Sequence, residues 1–181
     1  MKPKTYSSKA IVLAKQNYSE TDRIIILLTS SWGKLSVVAK GVRRPESKKR
    51  GALEMFNKIN FSAVRGKNLD IITEAEIIDT YEKIRESLPK VTVAYFFVET
   101  IGRIIREGEK NEELFTLLDR YLHMLEKTHK LKTFRNEFIY HTLITLGYWS
   151  KHVPMKNPDF VLEDVLERKL NSVRVGKKLI A

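Results

Sequence analysis

Lys40, Arg43, Arg44, Lys48, Lys49 and Arg50 crowd into eleven residues that hold a single acid, Glu46. A cluster of this kind neutralises a polyanion: arginine offers a planar fork that matches phosphate oxygens, and lysine a compact point charge. That stretch alone carries +5 of a chain total of +11, from 33 cations and 22 acids in 181 residues. A surplus of that size favours nucleic acid, and less often an acidic membrane. The plainer alternative is a solvated loop that keeps the chain soluble. Lys34 joins the candidate contacts from the strand just upstream.

Other chemistries find little support. The chain has no cysteine, which removes disulfides, thiolate zinc sites and cysteine nucleophiles and fits a reducing compartment. His123, His129, His141 and His152 fall in or beside the C-terminal half, none at a metal-ligand spacing. His141, among apolar residues, reads as a core histidine rather than a ligand. Neither GxxxxGK[ST] nor GxGxxG occurs. Glu74 and Glu76 share a strand face without a visible base or metal partner. The expectation is a non-enzymatic protein with no cofactor and no metal.

The cations need a scaffold, and the flanking sequence supplies one. Leu35, Val37 and Ala39 alternate with Lys34, Ser36, Val38 and Lys40, which predicts a strand with one face in a core. Arg23–Thr29 before it and the turn residues Ser30-Ser31-Trp32-Gly33 make a hairpin. Gly41 frees the backbone, Pro45 stiffens the loop, and the chain re-enters the core at Leu53 and Phe56. Ala10–Leu13, Phe56–Val64 and Leu69–Ala75 complete five short strands, which suit a small barrel. Trp32, Tyr18 and Phe61 are candidate base-stacking aromatics, with Phe61 better placed in the core. Asp22, at the turn before Arg23, reads as a cap or as a bridge to Arg23.

The remainder is helical. Val93, Phe96, Phe97, Ile101, Ile104 and Ile105 form a helix stripe, and Leu114 to Leu125 repeat it after a start near Asn111. A third helix spans Leu131 to Leu146, with Gly147 as its stop, and a last one runs from Asp159 to Asn171. The tail Ser172 to Ala181 is expected to be frayed. A break near Asp79 to Pro89 divides the chain into a β domain, residues 1–80, and a helical domain, residues 81–181. The N-terminal apolar run is too short for a signal peptide and no stretch reaches bilayer length, so a soluble cytoplasmic protein without membrane contact is expected.

Three groups of residues then carry a family resemblance. The first is Tyr18-Ser19-Glu20-Thr21-Asp22, the apolar run into Leu28-Thr29, and Gly33 through Arg43 with its Gly33-Lys34 and Ala39-Lys40-Gly41 steps. The second is Ser47 to Gly51 with Leu53 and Phe56, followed by Asp70 to Glu76. The third is Phe134-Arg135-Asn136-Glu137-Phe138 leading to Leu146-Gly147-Tyr148. Over roughly residues 5 to 150 the chain resembles the bacterial DNA repair protein RecO family.

That resemblance implies an OB-fold barrel joined to an all-helical domain. It also implies a recombination mediator that binds single- and double-stranded DNA and anneals complementary strands. Family members work with RecR, and in many lineages RecF, to help load the RecA recombinase onto strands coated by single-strand binding protein. Many bind the acidic C-terminal tail of that coating protein on the helical domain. Carried over, the DNA contacts are Lys40, Arg43 and Arg44, with Lys48, Lys49 and Arg50 as neighbours. On the first helix, Arg103 and Arg106 beside the apolar Ile101 and Ile105 are the candidates for a tail-binding pocket. The cysteine zinc cluster common after the Leu-Gly-Tyr helix is missing, and so are several later helices, which suggests a reduced member. The alternatives are an OB-type RNA-binding protein, separable by direct RNA–DNA competition, and a protein-binding adaptor, which would not shift a bare oligonucleotide.

Overall fold

Residues 4–167 are described by a computed structural model. The tail from Ser172 onward, and the end of the helix expected to reach Asn171, lie outside the described residues. Five strands open the chain: β1 (Thr5–Asn17), β2 (Arg23–Thr29), β3 (Gly33–Ala39), β4 (Lys58–Val64) and β5 (Asp70–Asp79). They close in the order β1-β2-β3-β5-β4, with β3 and β5 parallel and every other pair antiparallel. This is the OB-fold barrel.

β1 is the long member because it serves two neighbours. Thr5–Ile11 pairs with β4 and Ala10–Asn17 with β2, with a bulge between Val12 and Ala14 that bends the strand from one to the other. Alternating residues of each strand face one core: Tyr6, Ala10 and Val12; Ile25 and Leu27; Val37 and Ala39; Ile59, Phe61 and Ala63; and Ile72. The inward parity expected for β3 is the observed one. Three strand limits move. β1 begins at Thr5 rather than Ala10, because Tyr6 and Ser8 also turn inward and Ser8 shares a hydroxyl hydrogen bond with Ser30 at 3.2 Å. β5 continues to Asp79, although Glu74, Glu76, Ile77 and Ile78 are all exposed. Phe56 precedes β4 instead of starting it; its φ of 54° lies in the left-handed region, and its N–H donates to Val12 O at 2.9 Å.

Among the described residues five helices follow: α1 (Glu82–Arg85), α2 (Leu88–Ile104), α3 (Glu112–Leu125), α4 (Leu131–Thr145) and α5 (Pro158–Leu166). The described residues form two compact units. One holds residues 4–80 together with Ile105–Phe115; the other holds Tyr81–Ile104 and residues 116–167. The segment between α2 and α3 therefore belongs with the barrel. Gly108 N–H donates to Lys34 O at 2.8 Å, and Glu107 accepts from both the N–H and the hydroxyl of Ser36.

The helical unit is built on aromatic packing. Phe97 and Phe138 stack with centroids 3.9 Å apart, and Tyr121 and Phe134 close the cluster. Arg135, only 3% exposed, lies with its guanidinium 3.9 Å from the Phe96 ring and pairs with Asp159 at the start of α5. The expectation of a core histidine at 141 is corrected. His141 is exposed, because it falls outside the α4 arc of Phe134, Phe138, Ile139, Thr142 and Leu143, and Thr142 is the buried polar residue there. Gly147, at φ 77°, ends α4 as expected, and Tyr148 N–H donates back to Leu143 O at 2.8 Å.

Candidate nucleic-acid interface

The basic cluster is held by a turn that precedes it by about twenty residues in sequence. Between β1 and β2, Tyr18 N–H donates to Asp22 O at 3.1 Å and Asp22 N–H to Ser19 Oγ at 3.2 Å, which closes the turn. Asp22 Oδ1 then accepts the Thr21 hydroxyl at 3.0 Å and the Gly41 N–H at 2.8 Å. Two further bonds run the same way: Arg43 N–H donates to Thr21 O at 2.9 Å, and Arg43 Nη1 to Ser19 O at 2.9 Å. Gly41 has φ 66°, so glycine is the residue that turns here without strain.

These bonds hold the Asp22 carboxyl below the usual carboxylate range. The Gly41 N–H is the largest cause, with the Thr21 and Ser19 hydroxyls and the Lys40 charge adding to it. Asp22 is thus the acceptor for the loop. The bridge to Arg23 is not the arrangement found: the Arg23 guanidinium donates to Asn17 Oδ1 at 3.2 Å instead.

Beyond Gly41 the loop runs as successive tight turns. Arg44 N–H donates to Gly41 O, Ser47 N–H to Arg44 O, and Arg50 N–H to Ser47 O, at 3.1, 3.1 and 3.2 Å. Val42, Ala52 and Leu53 plug into the barrel core, so the loop is pinned by apolar side chains at both ends. Asn57 Nδ2 fastens the far end by donating to Gly51 O at 2.9 Å and Ala52 O at 3.1 Å.

Lys40, Arg43, Arg44, Lys48 and Arg50 are exposed along this loop, while Lys49 is half-buried and donates to Ile72 O on β5 at 3.1 Å. Six of the sequence-derived candidates therefore sit on one fixed loop. Lys34 does not join them. It lies near the other end of β3, about 20 Å from Lys40 at the usual rise per strand residue.

Arg103 and Arg106 fall on different units. Arg103, near the end of α2, pairs with Glu99 at 2.8 Å; Arg106 lies past that helix, in the segment that belongs with the barrel, and is exposed. Of the three aromatics, Phe61 is core at 1% exposure, Tyr18 is 61% exposed in the turn that holds Arg43, and Trp32 is 36% exposed at the β2–β3 turn.

Two participants escaped the sequence reading. Asp22 was visible as a turn residue, but its partner is nineteen positions away. Arg65 lies between two predicted strands, with no neighbouring pattern to mark it, yet its guanidinium lies over the Tyr6 ring at 4.8 Å. Among the described residues no cluster of histidine and acidic side chains could hold a metal ion, and no helix is long and apolar enough to cross a membrane.

Comparison with known proteins follows the same division of the chain. Residues 1–81 match the family model described as recombination protein O N terminal, and residues 85–149 match recombination protein O C terminal. The chain is 37% identical over 122 residues to the DNA repair protein RecO of Pelotomaculum thermopropionicum, covering 67% of this chain and 48% of the relative. To that of Geobacter metallireducens it is 36% identical over 141 residues, covering 78% of this chain and 58% of the relative. The chain spans about half the length of the curated relatives it matches.

Proposed function

We propose, because the chain belongs to the RecO family of DNA repair proteins, that its barrel is the strand-holding part of a recombination mediator. In this reading the protein is not an enzyme. It binds single- and double-stranded DNA, anneals complementary strands, and helps load a recombinase onto strands coated by single-strand binding protein. RecR, RecF, RecA and the coating protein's acidic tail are its proposed partners, and the bacterial cytoplasm is its proposed place of work.

One observation carries the proposal: Lys40, Arg43, Arg44, Lys48 and Arg50 are exposed on a loop tied down at both ends. A fixed array of cations binds a polyphosphate without first having to order the loop. Annealing then needs no reacting group. Cations between two phosphate backbones screen their repulsion, so that complementary strands come close enough to pair. With about four to six phosphates neutralised, log affinity for a single strand falls against log salt with a slope of about −3 to −4. Tyr18, in the turn that accepts from Arg43, is available to stack on a base beside those phosphates.

At Arg103 an acidic protein tail would have to displace Glu99. The deciding experiment anneals two complementary oligonucleotides, each precoated with single-strand binding protein, with and without this chain. Faster annealing with the chain supports the proposal. An unchanged rate, with affinity for bare strands also absent at low salt, overturns it.

A further inference from the structure

At the end of β3 opposite the basic loop, the β2–β3 turn displays Trp32. The turn is rigid. Trp32 N–H donates to Thr29 Oγ1 at 2.8 Å, and the same hydroxyl donates to Gly33 O at 2.8 Å. The Tyr6 ring meets the indole edge-on at 5.2 Å, and Phe61 meets Tyr6 at 6.1 Å, so Trp32 tops a column of three rings rooted in the core.

Arg65, just past the end of β4, flanks that column with its guanidinium carbon 4.8 Å from the Tyr6 centroid and 5.6 Å from that of Trp32. Asp70 sets the arrangement. Its Oδ2 accepts the Tyr6 hydroxyl at 2.6 Å and lies 3.6 Å from Arg65 Nη1, and its Oδ1 accepts the Gly66 N–H at 3.1 Å. Gly66 permits this, since a Cβ there would lie 1.8 Å from Leu69 O. The β4–β5 loop so held exposes Lys67 at its tip, and Lys9, whose carbonyl accepts from Ser30 in the Trp32 turn, is exposed on β1.

An indole that only sealed the barrel would be buried like Tyr6 and Phe61. Trp32 instead keeps 36% of its surface in solvent while the Tyr6 ring, a guanidinium and two hydrogen bonds of its turn fix its position. Exposure with an ordered support makes a stacking platform: every base has a π face, and little is lost in ordering a side chain already held. Arg65 and Lys67 of the β4–β5 loop, with Lys9 on β1, add the cations that a phosphate backbone needs beside a stacked base. We infer that Trp32, backed by Tyr6 and Arg65, stacks on an unpaired base of a single strand, at a second contact beyond the far end of β3 from the basic loop. The inference rests on the nucleic-acid reading above and adds to it a site that discriminates unpaired from paired bases.

The test measures binding of the full chain to a labelled oligothymidine, to the same oligomer with interior abasic positions, and to a blunt duplex, over a range of salt. Trp32→Ala is expected to weaken oligothymidine binding about tenfold with the salt slope unchanged, since stacking releases no counterions. Duplex binding is expected to stay as it was, and Trp32→Phe to retain most of the affinity. The wild-type chain should bind the abasic oligomer correspondingly less well, a comparison that needs no variant to fold. Equal affinity of Trp32→Ala and wild type for oligothymidine overturns the inference and leaves the nucleic-acid reading standing. An equal loss on strand and duplex, or indifference of the wild type to abasic positions, also overturns it. No binding of any oligomer by the wild type overturns both.

Discussion

The backbone N–H of Gly41 donates to Asp22 Oδ1 at 2.8 Å, tying the first turn of the basic loop to the turn between β1 and β2. With Arg43 donating to Ser19 and Thr21, the two sequence segments form one body. Charge display depends on a carboxylate that touches none of the proposed ligand.

Asp22→Ala should therefore release the loop. Trypsin is expected to cut between Lys40 and Arg50 severalfold faster, and affinity for single strands to fall because the loop must be ordered on binding. Asp22→Asn keeps an acceptor oxygen and should behave closer to wild type. The pH dependence follows from the depressed carboxyl. A group whose folded pKa lies below its unfolded value stabilises above the unfolded value, near 4, and loses that contribution as pH falls through the folded one. The Gly41 amide resonance should hold steady from about pH 7 to about pH 5 and move only in stronger acid.

The paired substitution Arg43→Ala with Arg44→Ala should weaken binding at all sequences alike and reduce the salt slope by about 1.4, roughly 0.7 for each phosphate of a single strand that is no longer neutralised. Arg43→Ala alone should also speed proteolysis of the loop, because its guanidinium holds Ser19 O; Arg44→Ala alone should not. Unchanged affinity and slope in the double variant would remove the loop as the DNA-binding element.

Gly33 is expected to tolerate no side chain. Its φ is 77°, and a Cβ would lie 2.3 Å from Glu109 O, in the segment that runs along β3. Gly33→Ala must adopt a left-handed backbone at about 1–2 kcal/mol and also push residues 107–109 away from the strand. A melting temperature lower by at least about 3 °C, with faster hydrogen exchange at Gly108, is the expected result.

Arg135 gives the helical unit its own test. Asp159→Ala leaves a buried guanidinium without its carboxylate and should cost about 3–5 kcal/mol by denaturant unfolding. Arg135→Met with Asp159→Leu removes both charges and should recover most of that loss. A double variant as unstable as the single one would show that the ion pair, rather than burial of an unpaired charge, sets the cost.

What could be read from the sequence was what depends on short-range pattern. The alternation Leu35-Val37-Ala39 declared its inward face, and six cations within eleven residues declared a loop. Gly147 declared the end of α4 because a left-handed stop is a local requirement. Contacts set by closure were hidden. Nothing near Asp22 announces Gly41, and nothing near Ser36 announces Glu107, since each pairing exists only once the barrel brings distant segments together. β1 looked short because Ser8 is inward-facing yet polar, and its hydroxyl partner, Ser30, lies just past the end of β2. His141 looked buried because two helix positions that differ by one residue differ by about 100° around the axis.

The parallel seam between β3 and β5 is narrow, with Val37 opposite Asp70 and Val38 opposite Ile71. Just past it on one side the Lys49 ammonium takes Ile72 O, and just before it on the other the Glu107 carboxylate takes the Ser36 N–H. Charged side chains thus act as clasps where backbone ladders leave off. A ring whose β3–β5 seam has two register pairs, against seven in the β1–β2 ladder, has a built-in place to gape: denaturant should loosen this joint while the β1–β2 ladder stays shut.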